Sequence, residues 1–338
     1  MLYNEYRPKV FDDVKDQSFT IKVLKSMIEK DEISNIIFTG KHGTGKTTLA
    51  RIVANELQTS NIDIHEIDAA SHNSIDDVRS LVLQLKIPPY DSKRKVYIID
   101  EVHMLSKAAF DVLLKPLEEP YKHVLFILCT TEVNKIPDTI KSRCTVFNLN
   151  NISMNSIVNT MSGICKDYNK DYEEKLLYII AEKANGSMRD ALTLLEKCMF
   201  STNDSLNLKE LESVLNYIDD SIFTELTDFM IDGKMDDMML LLDRLIKEGN
   251  DIKDIMTNSA VYFRKLFMLK NDKISELVYI PEEQKQRMKN QFDKIGSASL
   301  FKVLSLIDEC SVRYHLSHNK RLSLELLFIN IQLNIKKK

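Results

Sequence analysis

Between Ile36 and Leu149, short apolar runs alternate with segments whose apolar residues recur at helical spacing. The runs are Ile36-Ile37-Phe38, Ile62 to Ile67, Val96-Tyr97-Ile98-Ile99, Val124 to Leu128 and Val146-Phe147. Between the first two, Leu49, Ile52, Val53 and Leu57 mark one face of a helix. Runs that are apolar at every position suit strands buried on both faces, and helices between them imply right-handed crossovers. The pattern predicts an α/β domain built on a parallel sheet.

After Asn150 the strand signals largely stop. Ser153 is placed to cap a helix running to about Asp167, and helices follow over Tyr172–Lys183 and Ser187–Met199. A polar break at Ser201-Thr202-Asn203-Asp204-Ser205 precedes a short helix ending near Tyr217. From Asp219 onward the chain reads as helix, with Gly233, Gly249 and Gly296 as punctuation and a fraying Lys336-Lys337-Lys338 tail. Three domains are expected: residues 1–150 α/β, 151–217 a small helical domain, and 218–338 a larger all-helical one. There is no internal repeat or low-complexity tract.

Composition narrows the partners more than the fold. With 338 residues, 28% of them charged, and a net charge of −4, the chain is not basic overall, so any nucleic-acid contact is confined to one face. Only 8 Gly and 7 Pro are present, which favours helices over a turn-rich all-β chain. The cysteines Cys129, Cys144, Cys165, Cys198 and Cys310 form no CxxC pair, so neither a zinc ribbon nor a disulfide framework is indicated. The N-terminus is polar, and no apolar run approaches the roughly 20 residues needed to span a bilayer. A soluble, cytoplasmic protein with no membrane partner is expected.

Two motifs carry chemistry. Gly40-Lys41-His42-Gly43-Thr44-Gly45-Lys46-Thr47 has the full GxxxxGK[ST] form, entered by a strand and left by a helix. Gly40, Gly43 and Gly45 let backbone N–H groups turn toward phosphates, and the helix N-terminus adds favourable dipole charge. Lys46 reaches the β- and γ-phosphates, the Thr47 hydroxyl ligates Mg²⁺, and Thr44 and Thr48 complete the nucleotide-binding positions. A chance Gly-rich turn is the alternative, and the flanking strand and helix disfavour it. The second motif, Val96-Tyr97-Ile98-Ile99-Asp100-Glu101, buries a strand and leaves two acids at its carboxyl end, where α/β sheets bind ligands. Asp100 serves the Mg²⁺ shell and Glu101 the attacking water as general base. The alternative is a pair of acids capping the next helix. Because a kinase-type P-loop protein can lack the glutamate, its presence points to hydrolysis of ATP.

Three single residues are ambiguous by composition. Thr131 follows the strand Val124–Thr130 and is as readily a turn-forming hydroxyl as a phosphate contact. Arg143, in Ser142-Arg143-Cys144, precedes the last strand, where an exposed Arg is ordinary. Arg189 occupies the first turn of a helix, where a cation is unfavourable unless an acid or anion compensates it.

Taken together these stretches resemble the AAA+ clamp-loader ATPases. The resemblance runs through Tyr6-Arg7-Pro8, Phe11-Asp12-Asp13-Val14, Gln17, the P-loop and Glu66 to Ser71. It continues through Tyr97 to Ser106, Leu113-Leu114-Lys115-Pro116-Leu117-Glu118-Glu119-Pro120, Thr130-Thr131-Glu132, Lys135-Ile136-Pro137, Ser142-Arg143-Cys144 and Gly186 to Leu192. It is dense over residues 1–195 and a matter of helical pattern beyond 218. It implies an AAA+ P-loop domain, a helical lid and an all-α collar that holds five subunits in a ring. ATP and Mg²⁺ are the implied cofactors, with Tyr6, Arg7 and Gln17 near the adenine. Thr131 takes the sensor-1 position and Arg189 the sensor-2 position, both in cis. Arg143 becomes an arginine finger that completes the site of the adjacent subunit. Implied partners are other clamp-loader subunits, a sliding clamp and primer–template DNA. Arg79 and Lys107, on the helices after the second and third strands, are candidate backbone contacts, with solvated helix charges as the alternative. Bacterial members usually carry a four-cysteine zinc module before the second strand; the corresponding Leu57-Gln58-Thr59-Ser60-Asn61-Ile62 is short and has no cysteine.

The expected function is therefore an ATP-hydrolysing clamp-loader motor subunit that does not itself polymerise nucleotides. A AAA+ branch-migration helicase is the runner-up, disfavoured because such motors tend to end in a winged helix. A dead-site ring subunit conflicts with Lys46, Thr47, Asp100 and Glu101, and a nucleotide kinase would need an acceptor site that is not evident.

Overall fold

A computed structural model of the chain describes residues 1–201, 205–208, 214–215, 217–269, 280, 282–314 and 317–335. The chain divides into two compact units, one of Met1–Asp171 with Leu177–Met199, the other of Tyr172–Leu176 with Phe200–Lys338.

The first unit is built on five parallel strands, β1 (Ile36–Thr39), β2 (Ile64–Asp68), β3 (Lys95–Asp100), β4 (Val124–Thr130) and β5 (Thr145–Asn148), in the order β2-β3-β4-β1-β5. Around them stand α1 (Leu2–Glu5), α2 (Ser18–Glu29), α3 (Lys46–Glu56), α4 (Ile75–Gln84), α5 (Lys107–Glu118) and α6 (Asp138–Lys141). Alternate strand residues feed two separate cores. Ile36, Phe38, Val96, Ile98, Leu125 and Ile127 pack with Leu24 of α2 and Leu49, Ile52 and Val53 of α3. Ile37, Tyr97, Ile99, Phe126 and Leu128 pack on the other face with Val78 and Leu81 of α4 and Phe110 and Leu113 of α5. This is why the three central strands read as continuous apolar runs.

The edges depart from that pattern. The second strand was expected from Ile62, but Asn61–Asp63 is a 3-10 turn with Ile62 64% exposed. The turn follows from Asp63, whose buried carboxylate accepts N–H bonds from Tyr90 at 2.8 Å and Asp91 at 3.0 Å and so holds that residue to the loop before β3. At the other edge Val146 of β5 is partly exposed, because β5 has a neighbour on one side only.

Three further helices follow: α7 (Met154–Asp167), α8 (Glu174–Ala184) and α9 (Met188–Ser201). Ser153 caps α7 as expected, accepting from Ser156 N at 3.2 Å. A two-residue strand pair, Asp171–Tyr172 with Ser205–Leu206, was not expected from the sequence. The short helix predicted to end near Tyr217 falls largely outside the described residues, as does the Lys336–Lys338 tail.

In the second unit, α10 (Asp220–Asp232), α11 (Met235–Lys247), α12 (Ile252–Met268), α13 (Glu282–Ile295), α14 (Ser297–Tyr314) and α15 (Lys320–Ile335) enclose one core that includes Phe223, Leu242, Tyr262, Phe263, Val303 and Phe328. Gly233, at φ +79°, terminates α10 in the left-handed conformation that glycine takes without penalty. Beneath the apolar residues lies a polar network. Lys265 Nζ bonds Asp220 Oδ2 at 3.0 Å with both side chains buried, and Tyr262 donates to Gln291 Oε1 at 2.5 Å. Among the described residues no helix is long and apolar enough to cross a membrane.

Candidate active site

The parallel register sets the carboxyl ends of β1, β3 and β4 in one row. Thr39 stands opposite Thr130, and Gly40 N–H donates to Thr130 O at 3.3 Å. Residues that follow these three strands therefore converge, as the switch point of an α/β sheet requires.

The loop after β1 turns on Gly40, Gly43 and Gly45, at φ +155°, +71° and +103°. Gly43 has a steric requirement as well: a Cβ there would lie 2.0 Å from Ser187 Oγ. Its carbonyl accepts Met188 N–H at 3.1 Å, so the loop docks on the turn that opens α9. Lys46 Nζ donates to the carbonyls of Gly40 and Lys41, each at 2.9 Å, which folds its ammonium across the loop. Burial pulls the Lys46 ammonium below the ordinary lysine range, against the opposing fields of Glu101 and Asp100.

Thr47, in the first turn of α3, donates from Oγ1 to Asp100 Oδ2 at 2.8 Å. The other oxygen of Asp100 accepts Glu101 N–H at 3.0 Å. Glu101 sits in the left-handed region (φ 46°, ψ 43°) and turns the chain into the 3-10 helix Val102–Met104. Thr131 Oγ1 donates to Glu101 Oε2 at 3.3 Å, which joins the end of β4 to that of β3.

These groups border a cavity of about 420 Å³ whose lining includes residues 43–48, Asp100 and Glu101 with Tyr6, Arg7 and Arg189. Arg7 Nε donates to Thr48 Oγ1 at 3.0 Å. Desolvation lowers the Arg7 guanidinium below its ordinary value, with the neighbouring Arg51 adding to the effect. Tyr6 donates to Asp167 Oδ2 of α7 at 3.1 Å, and burial together with that acceptor raises its phenol to about 12. Arg189 is the unfavourable first-turn cation noted above. Its guanidinium lies 4.9 Å from the centre of the Tyr3 ring, a cation–π contact that compensates it.

Other expected residues stand outside the lining. Gln17 is 2% exposed and its amide is committed at both ends to Asn150, donating to O at 2.8 Å and accepting from N at 3.0 Å. It shapes the backbone after β5 rather than facing the cavity. Arg143 pairs with the Glu118 carboxylate at the end of α5 and donates to Thr139 O. It is therefore directed away from its own chain's P-loop. Arg79 is exposed on α4 and pairs with Asp76 at 3.3 Å; Lys107 is exposed at the start of α5. Sequence reasoning missed Tyr3, the Arg51–Glu66 pair (2.7 Å from both Nε and NH2) beside the cavity, and His103 next to Glu101. Only the Val102-His103 position inside the motif could have hinted at the last.

The oxygen set suits a hard cation: a carboxylate and a hydroxyl held together leave phosphate and water to fill the remaining positions of Mg²⁺. The glycine-built loop, whose Gly45 has open space within 4 Å of a notional Cβ, suits a close phosphate.

A P-loop sheet in the order β2-β3-β4-β1-β5, a paired Asp–Glu at the end of β3 and a helical lid define an AAA+ ATPase. Residues 57–153 match the family described as "DNA polymerase III, delta subunit", and residues 156–203 that described as "DNA polymerase III clamp loader subunit, ATPase lid domain". DNA polymerase III subunit gamma of Buchnera aphidicola subsp. Schizaphis graminum is 34% identical over 309 residues, covering 85% of this chain and 85% of that protein. DNA polymerase III subunit tau of Bacillus subtilis is 31% identical over 352 residues, covering 98% of this chain and 62% of tau. The chain belongs to the DNA polymerase III gamma/tau family of clamp-loader ATPases. Among solved structures, the Thermotoga maritima RuvB Holliday junction branch migration motor superposes with a TM-score of 0.54 at 20% identity, covering 84% of this chain and 98% of that one. That likeness shows the shared AAA+ fold alone. The branch-migration reading is not favoured, since the relatives by sequence are DNA polymerase III gamma and tau subunits, residues 156–203 match the clamp-loader lid family, and the described residues beyond Ile218 form helices.

Proposed function

We propose that this chain binds ATP in the cavity between Tyr6, Arg7 and the P-loop and uses its hydrolysis to load a sliding clamp onto primer–template DNA. The observation that carries the reading is the convergence of Lys46, Thr47, Asp100 and Glu101 on one crevice, with Thr131 bonded to Glu101 from behind the lining, while Arg143 is paired with Glu118 instead. Backbone N–H groups of residues 43–47 and the Lys46 ammonium hold the phosphates. Thr47 and Asp100 would hold Mg²⁺, which when bound would supply positive charge against the developing charge on the phosphates. Glu101 takes the proton of the attacking water, Thr131 holds the carboxylate and senses the γ-phosphate, and Arg189 reads the nucleotide from the lid.

Arg143 serves the site of the neighbouring subunit, so that hydrolysis depends on assembly. The helical unit from Ile218 onward acts as the collar of a five-membered ring, and Arg79 and Lys107 lie on helices directed at the DNA backbone. ATPase activity of the assembled complex should rise on adding primer–template DNA and the cognate clamp, and Arg143→Ala should remove about 10³-fold of the stimulated rate. Activity indifferent to both ligands, or a neutral Arg143→Ala, would sink the reading.

A further inference from the structure

Glu101 is touched from three sides. Thr131 Oγ1 donates to its Oε2 at 3.3 Å, His42 Nδ1 faces Oε1 at 3.5 Å, and His103 Nδ1 lies 3.2 Å from Oε2. The His42 side chain, on the P-loop, is 77% exposed, so water screens its contact. His103 is different: its side chain is 8% exposed and each ring nitrogen has its own partners. Nδ1 also lies 3.1 Å from Thr130 Oγ1, and Nε2 faces Glu132 Oε1 at 3.5 Å. Thr130 Oγ1 is in turn held by Glu132 N–H at 3.0 Å.

Local backbone explains the placement. The left-handed Glu101 reverses the chain, and the 3-10 turn that follows brings residue 103 back beneath residue 101. A carboxylate only accepts, so with the proton on Nδ1 the imidazole turns its N–H into the notch between Thr130 Oγ1 and Glu101 Oε2. The imidazole thus spans the gap between the end of β3, which carries Glu101, and residues 130–132 at the end of β4. An unsupported glutamate has three side-chain torsions and loses most of its productive population; a misplacement of about 1 Å can cost about 10²-fold in rate.

We propose that His103 is a positioning residue for the Glu101 carboxylate, holding it in the orientation from which it accepts the water proton and tying that orientation to the Thr130–Glu132 turn. The inference rests on Glu101 being the general base.

The test compares His103→Ala, His103→Asn, His103→Leu, Glu101→Gln and the Glu101→Gln/His103→Ala double variant in the assembled complex with clamp and primer–template DNA. Steady-state kcat and KM are read together with binding of a fluorescent ATP analogue. His103→Ala and His103→Leu should lower kcat by at least about tenfold with KM and analogue binding unchanged. His103→Asn should restore most of the rate, because its amide nitrogen takes the place of Nδ1. The double variant should be no slower than Glu101→Gln, since both act through one carboxylate. If the alanine variant fails to fold, the Asn and Leu pair decides: equal rates overturn the proposal, as does a loss from His103→Ala that multiplies fully with that of Glu101→Gln. Glu101→Gln at the wild-type rate would instead remove the base assignment, and the proposal with it.

Discussion

Thr47 Oγ1 donates to Asp100 Oδ2 across 2.8 Å, joining residues from the helix after β1 and the end of β3, two strands that are not neighbours in the sheet. β4 lies between them, and the P-loop has to arch over its end to close the gap. Asp100→Asn keeps an oxygen able to accept from Thr47, so the fold should survive, but the charge proposed to hold Mg²⁺ is gone. Hydrolysis should fall by at least about 10²-fold, and its Mg²⁺ requirement should move to higher concentration. A Mg²⁺ titration of ATPase rate in both proteins checks this, and chelation with EDTA should abolish the wild-type rate until Mg²⁺ is returned.

Gly43→Ala places a methyl group 2.0 Å from Ser187 Oγ at a backbone φ of +71°. The loop and the α9 turn cannot both keep their positions. Nucleotide affinity should drop at least about tenfold, since αL strain alone costs about 1–2 kcal/mol. Adding Ser187→Gly should recover only the steric share. Equal affinity for Gly43→Ala and wild type, read with a fluorescent nucleotide, would contradict the docking.

Asp63 gives the first unit an acid-dependent contribution to stability. Burial tends to raise its carboxyl, but the N–H bonds from Tyr90 and Asp91 outweigh this and hold it below the usual carboxylate value. A depressed folded value means the stabilisation is complete above the unfolded value of about 3.9 and is lost as pH falls through the folded one. Asp63→Asn should cost about 2 kcal/mol at pH 7. Its deficit relative to wild type should shrink below about pH 4, as thermal melts across pH 3–7 would show.

In the helical unit, Lys265→Ala strands a buried Asp220 carboxylate and should cost about 3–5 kcal/mol. Lys265→Met combined with Asp220→Leu should be less harmful than Lys265→Met alone, because the buried Asp220 carboxylate is removed together with its partner. Denaturant titrations of the four proteins form the cycle.

Much of the site was legible because its signals are local. A phosphate loop needs glycines and a lysine within eight consecutive residues, and a buried strand ending in two acids announces itself by its apolar run. The strand edges were less legible: Ile62 looks like strand material, yet Asp63 diverts it into a turn through bonds to residues 27 and 28 positions away. Gln17 and Arg143 show the same limit. Neither residue's surroundings reveal that one is spent on Asn150 and the other on Glu118.

The choice of candidate residues, then, belongs to the linear chain: Lys46, Thr47, Asp100 and Glu101 stand out by type and spacing, because each needs only its immediate neighbours to be noticed. Tertiary packing settled how they are held. The order of strands brought Thr47 to Asp100, the opening turn of α9 seated Gly43, and the end of β4 placed Thr131 against Glu101 and Thr130 against His103. Contacts between segments tens of residues apart depend on register and strand order, which a local pattern does not encode.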